Sequence, residues 1–194
     1  MLPAMAREPD DKTLMVRYRD GDVAAFQTLY SRHKGPLYRY FLRQGIGADQ
    51  ASELFQEVWI KIIRAKERYQ PAAKFTTYMY KLAHNCLVDY FRHQGRQPHD
   101  VGHEASIDPA ELPDNPGGNP EMVAEQKQSV ECFRQALNDL PAEQRESFLL
   151  REERGLSLAD IADVTGVNVE TAKSRLRYAV GKLRQALRDR EELT

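Results

Sequence analysis

A proline- and glycine-rich stretch from residue 99 to residue 120 most constrains how this chain of 194 residues can fold. Proline removes a backbone donor and glycine adds backbone entropy, so the stretch cannot sustain a helix or a central strand. It also contains several acidic residues and no Lys or Arg. We therefore expect a flexible acidic linker between two folded parts. Its prolines and glycines are Pro109, Pro113, Pro116, Pro120, Gly102, Gly117 and Gly118.

The two flanks predict an all-α fold with two small helical domains, at residues 10–98 and 121–190. Alternating β-branched runs are few, whereas 3.6-residue periodicity is frequent. No apolar run approaches the roughly 20 residues that span a bilayer, and the N-terminus lacks the apolar stretch of a signal peptide. We expect a cytoplasmic protein without membrane insertion. Cys86 and Cys132 favour reduced thiols, although a lone disulfide stays open.

The C-terminal part has the helix start and stop signals of a helix-turn-helix. Pro141 opens a helix that stops at Gly155, and Ser157 with Asp160 forms a capping box for the next helix. That second helix ends at Gly166, and Asn168 can cap a third helix. Two short helices joined by a glycine turn, the second rich in Arg and Lys, are typical of DNA binding.

The third helix divides into two faces at about 100° per residue. Its core stripe comprises Ala172, Leu176, Ala179, Val180, Leu183 and Leu187. Basic and hydroxyl side chains on the other face suit the phosphates and base edges of a major groove. The alternative is a solvated basic helix that contacts nothing. The predicted duplex-reading residues are Lys173, Ser174, Arg177 and Tyr178, with Thr171 and Arg175 at the margins.

A helix over residues 49–68 predicts a docking surface for another protein. Its expected core stripe comprises Ala51, Phe55, Val58, Ile62 and Ala65, with Trp59 beside it. On the opposite face Ile60 is surrounded by Glu53, Gln56, Glu57 and Arg64. An apolar residue within a polar ring indicates an interface, although a single exposed isoleucine is often without function.

The helix over residues 75–92 favours single-stranded DNA. Met79, Ala83, Cys86 and Tyr90 are expected inward, and the outward set comprises Thr77, Lys81, His84, Asn85 and Arg92, preceded by the stretch 68–71 with Tyr69. Cations hold a strand's backbone while rings and amides contact its bases. The alternative is that Tyr69, Tyr78 and Tyr80 are packing aromatics.

The chemistry-bearing residues predict no enzyme, no cofactor and no metal site. His84, Cys86, His93, His99 and His103 match no compact zinc pattern, and two of these histidines lie in or beside the linker. A phosphate loop, a nucleophile elbow and a convergent carboxylate pair are all missing from the sequence.

Taken in order, the motifs resemble the sigma-70 family of RNA polymerase sigma factors, specifically the extracytoplasmic-function (ECF) group that keeps domains two and four. The first half carries residues 21–26 (GDVAAF), 53–59 (ELFQEVW), 75–78 (FTTY) and 82–85 (LAHN), with Asp89. The second half carries Leu140-Pro141, residues 156–162 (LSLADIA) and residues 171–176 (TAKSRL). The resemblance covers about residues 10–98 and 121–188.

The resemblance implies a promoter-recognition subunit that binds core RNA polymerase and promoter DNA. Glu53, Gln56, Glu57 and Ile60 would dock on the clamp helices of the β′ subunit. Asn85 and the loop around Tyr69 would capture a flipped base of the −10 element, and the face with Lys173 and Arg177 would read the −35 element. The acidic linker would enter the basic channels of the polymerase. Members of this group are usually held inactive by an anti-sigma factor, often membrane-bound.

This sequence departs from the family pattern in two places. Tyr78-Met79 stands where tryptophan-leucine is common, and Glu53 stands where aspartate is common. Arg177 and Tyr178 occupy positions that vary with promoter sequence, so base-by-base specificity does not carry over. The rival interpretations are a stand-alone helix-turn-helix regulator, and an enzyme or metalloprotein built on the histidines.

Overall fold

The computed structural model describes residues 8–95 and 120–191, with side chains at residues 128–189 of the second range. This described part is helical throughout and its connections are short. The helices are α1 (Asp11–Arg19), α2 (Val23–Arg43), α3 (Ala48–Arg64), α4 (Phe75–His93), α5 (Pro120–Asn138), α6 (Ala142–Glu152), α7 (Leu158–Thr165) and α8 (Val169–Glu191). The all-α prediction is confirmed. The expected linker lies outside the described residues except for Pro120, where α5 begins.

Two helices of the first half begin at aspartate caps that the sequence interpretation did not use. Asp10 accepts a hydrogen bond from the Thr13 amide at 2.8 Å, and Asp22 accepts one from the Ala25 amide at 3.2 Å. Each carboxylate satisfies one of the amides that a helix start leaves without a partner. The helix expected over 49–68 is shorter, because it ends at Arg64 and a single 3-10 turn follows at Lys66–Arg68.

Helices α1 to α4 pack around one apolar core that fixes the orientation of α3 and α4. Val58 and Ile62 of α3 and Met79 and Ala83 of α4 are fully buried. Because α3 packs against both α2 and α4, Leu54 is buried as well, while Phe55 and Ala65 of the expected stripe are half-buried. The opposite faces of α3 and α4 are therefore the ones presented outward by this bundle.

The second half forms its own smaller core from α5, α6 and α8. This core comprises the buried residues Leu137, Leu140, Leu149, Ala179 and Leu183, with Phe133 and Phe148 packed against it. Within the described residues, no helix is long and apolar enough to cross a membrane. Cys86 and Cys132 are both free thiols, Cys86 buried and Cys132 half-buried.

The two halves contact each other directly, because α7 packs on α4. Ile161, Ala162 and Val164 of α7 belong to the same apolar cluster as the core of the first half, together with Leu150 and Leu156. Burial of apolar surface stabilises this contact, which the tethered-domain prediction did not contain.

Candidate nucleic-acid interface

The helix-turn-helix consists of α7 and α8, and its caps confirm the sequence interpretation. The Asp160 amide donates to Ser157 Oγ at 3.1 Å, and the Ser157 amide donates to Asp160 Oδ2 at 3.1 Å, which completes the capping box. Gly166 ends α7 in the left-handed region at a φ of 68°, where other residues are strained. Asn168 then accepts a hydrogen bond from the Thr171 amide at 2.8 Å and starts α8.

The predicted duplex-reading face of α8 points outward. Lys173, Arg177 and Tyr178 are exposed, and Tyr178 retains 57% of its accessible surface. The Arg177 guanidinium lies 5.2 Å from the centre of the Tyr178 ring, which is cation–π distance. Three more members of the predicted set are half-buried at the edge of the helix, namely Thr171, Ser174 and Arg175.

Arg175 is half-buried because its side chain contacts α6. Its Nη2 lies 3.6 Å from Glu143 Oε1. Behind the outward face, Ala172 and Ala179 are fully buried. The side chains that could contact DNA are thus held on a helix whose opposite side is fixed by packing. This face offers cations, hydroxyls and one ring to a duplex.

The predicted strand-binding face of α4 is partly covered by α7. Lys81, Asn85 and Arg92 are exposed, but Thr77 retains only 2% of its accessible surface. The Thr77 hydroxyl donates to Asp160 Oδ1 at 2.9 Å. Thr77 points away from the core of the first half, as the periodicity predicts, and is buried because the second half lies on it.

Tyr69 is buried in this conformation. Only 6% of its surface is accessible, and its ring lies 5.5 Å from the Tyr78 ring in an edge-on arrangement. Burial raises the pKa of the Tyr69 hydroxyl above its ordinary value. Burial also raises the pKa of Tyr80 to about 12. Tyr80 is a packing aromatic here, and a base-stacking role for Tyr69 stays a prediction.

The predicted protein-docking face of α3 is exposed. Glu53, Gln56 and Glu57 all face outward, and Ile60 retains 45% of its surface. Ile63, one turn further on, is exposed as well and enlarges the apolar centre of this face. An apolar centre with a charged rim is the usual anatomy of a protein interface.

A buried polar group at the contact between the two halves is absent from the sequence interpretation. Glu146 of α6 retains 6% of its surface and accepts hydrogen bonds from Tyr40 at 2.5 Å and from His84 Nδ1 at 2.8 Å. Burial opposes the charge on His84, but the hydrogen bond and charge of Glu146 outweigh it and raise the pKa of His84. The sequence around Glu146, which follows Arg145, gives no indication that this glutamate is buried between the two halves.

The histidine and cysteine positions are not gathered into a metal centre in the described part of the chain. No group of three or more His, Cys, Asp or Glu residues there could hold a metal ion. Cys86 is buried in α4 and contacts Lys61 Nζ at 3.2 Å, whereas His93 is exposed at the end of the same helix. His99 and His103 lie outside the described residues.

The geometry defines a DNA-binding protein of the helix-turn-helix class with a second helical domain. Two family models match the chain, Sigma-70 region 2 over residues 29–97 and Sigma-70, region 4 over residues 130–183. The ECF RNA polymerase sigma-E factor of Haemophilus influenzae is 31% identical over 189 residues, which covers 89% of this chain and 92% of that protein. The chain therefore belongs to the ECF group of the sigma-70 family.

Further relatives and solved structures are also similar to this chain over most of its length. The RNA polymerase sigma factor CarQ of Myxococcus xanthus is 28% identical, covering 91% of this chain and 97% of that protein. The structure of CnrH with the cytosolic domain of CnrY covers 92% of this chain and 97% of that chain at 20% identity, with a TM-score of 0.66. The sigma factor RpoE of Bartonella quintana with the anti-sigma factor NepR covers 84% and 96% at 21% identity, with a TM-score of 0.63. These two likenesses show a shared fold.

Membership of the sigma-70 family disfavours the interpretation as a stand-alone helix-turn-helix regulator. Sigma factors are transcription initiation factors rather than enzymes.

Proposed function

We propose that this sigma factor gives core RNA polymerase its promoter specificity through three separate faces, without catalysis of its own. The face of α8 reads the −35 element as duplex, the face of α4 reads the −10 element as a single strand, and the face of α3 docks on the β′ clamp helices. The observation that carries the proposal is the outward face of α8 on a correctly capped helix-turn-helix.

The composition of α8 supports duplex reading. Lys173 supplies a phosphate contact, and the Arg177 guanidinium can form the bidentate contact to guanine that dominates major-groove recognition. The ring of Tyr178 contacts that guanidinium in a cation–π arrangement. Thr171, Ser174 and Arg175, at the edge of the helix, are suited to phosphates beside the groove.

The face of α4 supports capture of an unpaired base. Asn85 offers both donor and acceptor to a base edge, and Lys81 and Arg92 supply cations for the backbone. Thr77 and Tyr69 complete the proposed −10 set, and both need exposure that the described conformation does not give them. The free energy gained by binding a flipped base would favour melting of the promoter.

We also propose control by an anti-sigma factor, often a membrane-bound protein in this group. The support is the shared fold with a sigma factor whose structure was solved with the anti-sigma factor NepR. We further propose that this sigma factor is located in the cytoplasm, where it would act with RNA polymerase.

Run-off transcription with purified core polymerase tests the proposal. The full chain should direct initiation from ECF-type promoters, while the pure chain without polymerase binds duplex DNA weakly. Ile60→Asp should abolish co-elution with core polymerase, because it places a charge at the apolar centre of the α3 face. Val23→Asp is the matched control, since Val23 is also an exposed apolar residue but lies at the start of α2, outside the α3 face. Tight duplex binding without polymerase association would contradict the proposal.

A further inference from the structure

A free thiol inside the first half lies against an amine from the neighbouring helix. Cys86 of α4 retains 1% of its accessible surface, and Lys61 Nζ of α3 donates a hydrogen bond to its sulfur at 3.2 Å. The same amine lies 2.8 Å from Glu57 Oε1. A sulfur, an amine and a carboxylate therefore meet between α3 and α4, and the three proposed faces make no use of the sulfur.

Packing on both helices holds the sulfur and the amine together. Ile62, which follows Lys61, is fully buried, and Leu87, which follows Cys86, retains 5% of its surface. The amine stands at the end of a flexible four-carbon stem, and 37% of the Lys61 side chain is exposed. The lysine can therefore close the remaining gap to the sulfur while both helices stay in place.

Burial selects the reagents that can reach this sulfur. It raises the pKa of the Cys86 thiol above its ordinary value, and the Lys61 cation opposes the rise only in part. The thiolate is the reactive form, so oxidation at neutral pH is slow and needs a sustained supply of oxidant. A sulfur with 1% of its surface accessible admits an oxidant as small as hydrogen peroxide and excludes a bulky thiol such as glutathione.

From this geometry we infer that Cys86 and Lys61 form a modification site, at which hydrogen peroxide joins α4 to α3 through a covalent sulfur–nitrogen bond. In the first step the thiol and one hydrogen peroxide give a sulfenic acid and water, so the sulfur is oxidised by two electrons and the peroxide is reduced. In the second step the amine attacks the sulfur, the S–O bond breaks and the S–N bond of a sulfenamide forms. Glu57 takes one proton from the ammonium and passes it to solvent, and a second proton leaves with the hydroxyl as water.

The bond has two physical consequences for the first half. It protects the sulfur from the irreversible sulfinic and sulfonic acids, because an amine already in contact with the sulfenic acid reacts before a second peroxide arrives. It also closes a loop between two positions that are 25 residues apart, which restricts the unfolded chain. The crosslinked chain should therefore unfold at a higher urea concentration than the reduced chain. Neither consequence depends on the proposed roles of the three faces.

Peroxide treatment of the full chain with the substitution Cys132→Ser tests the site. This variant excludes a disulfide between the two cysteines, which would change the mass by the same amount. Mass spectrometry should show a loss of about 2 Da, the mass of two hydrogens, and peptide mapping should place the bond between Lys61 and Cys86. Dithiothreitol in urea should restore the original mass. A map in which Cys86 is unchanged or carries only added oxygen would overturn the proposal.

Lys61→Arg in the same background keeps the cation beside Glu57 but removes the nucleophile, because a guanidinium stays protonated. The yield of the sulfur–nitrogen bond should fall at least about ten-fold, and Cys86 should gain oxygen instead. Lys12→Arg, on the exposed side of α1, is the matched control and should retain the full yield. An equal yield in Lys61→Arg would contradict the assignment of this amine. The peptide map of Cys132→Ser decides the proposal by itself if Lys61→Arg does not fold.

Discussion

The substitution Asp160→Ala tests the carboxylate that serves both the capping box and the contact with α4. Asp160 accepts hydrogen bonds from the Ser157 amide and from Ser157 Oγ at 2.6 Å. It also accepts one from Thr77 at 2.9 Å and one from Lys74 at 3.2 Å. Alanine removes all four bonds and leaves the buried Thr77 hydroxyl without this acceptor.

The size of the effect follows from the pKa of Asp160. Burial alone would raise it, but the hydrogen bonds from Ser157, Thr77 and Lys74 outweigh burial and lower the pKa from 3.8 to about 2. At about 1.4 kcal/mol for each pH unit, this corresponds to at most about 2.5 kcal/mol of stability at neutral pH. Solvent reaches 17% of the side chain, and its Lys74 partner is well exposed, so we expect a loss of about 1–2 kcal/mol.

The pH dependence of the loss has a defined sign. A carboxyl with a lowered folded-state pKa stabilises the fold above its unfolded value, 3.8, and that stabilisation is lost as the pH falls through about 2. Urea unfolding of wild type and Asp160→Ala at pH 7 and pH 3 measures it. About half of the difference in unfolding free energy should remain at pH 3.

Asp163→Ala is the matched control for this experiment. Asp163 is on the same helix, but 52% of its side chain is exposed and it pairs with the exposed Lys81. Such a pair contributes about 0–1 kcal/mol, so its removal should cost much less than removal of Asp160. Equal losses for the two variants, or an Asp160→Ala loss that does not shrink on acidification, would refute the reasoning.

Three further variants probe the remaining contacts. Asn85→Ala should impair open-complex formation, measured by permanganate reactivity of the melted strand, while polymerase affinity is retained; normal melting would remove Asn85 from base reading. Arg177→Ala should weaken −35 binding by about 1–3 kcal/mol if it contacts a base, and loss of discrimination at one base pair identifies that contact. Because Glu146 raises the pKa of His84 above 6.5, the pair stabilises the fold at low pH and this is lost as the pH rises through the raised value. The stability advantage of wild type over His84→Gln should therefore be larger at pH 6 than at pH 9.

The local features of the fold were predictable because each depends on residues close together in the sequence. The capping box of Ser157 and Asp160, the left-handed Gly166 and the Asn168 cap all follow from spacing within four residues. The outward faces of α3 and α8 follow from helical periodicity in the same way. Leu54 was missed because α3 is covered on two sides, which broadens its buried surface beyond one stripe.

The arrangement of the two halves could not be predicted, because its bonds join residues far apart in the chain. Tyr40 and Glu146 are separated by 106 positions, and Thr77 and Asp160 by 83. Helical periodicity predicts that Thr77 faces away from the core of its own bundle. It cannot predict that the second half covers Thr77. Tyr69 and His84 are affected likewise, since their surroundings depend on tertiary packing.

Asp160 shows how the predictable and the unpredictable parts of the structure are coupled. Its carboxylate is fixed by the capping box, so it is already oriented when α7 meets α4 and little further side-chain entropy is lost. Asp163, one turn on, pairs with Lys81 from the same face of α7. The spacing that makes α7 a well-capped helix thus also presents two carboxylates to α4.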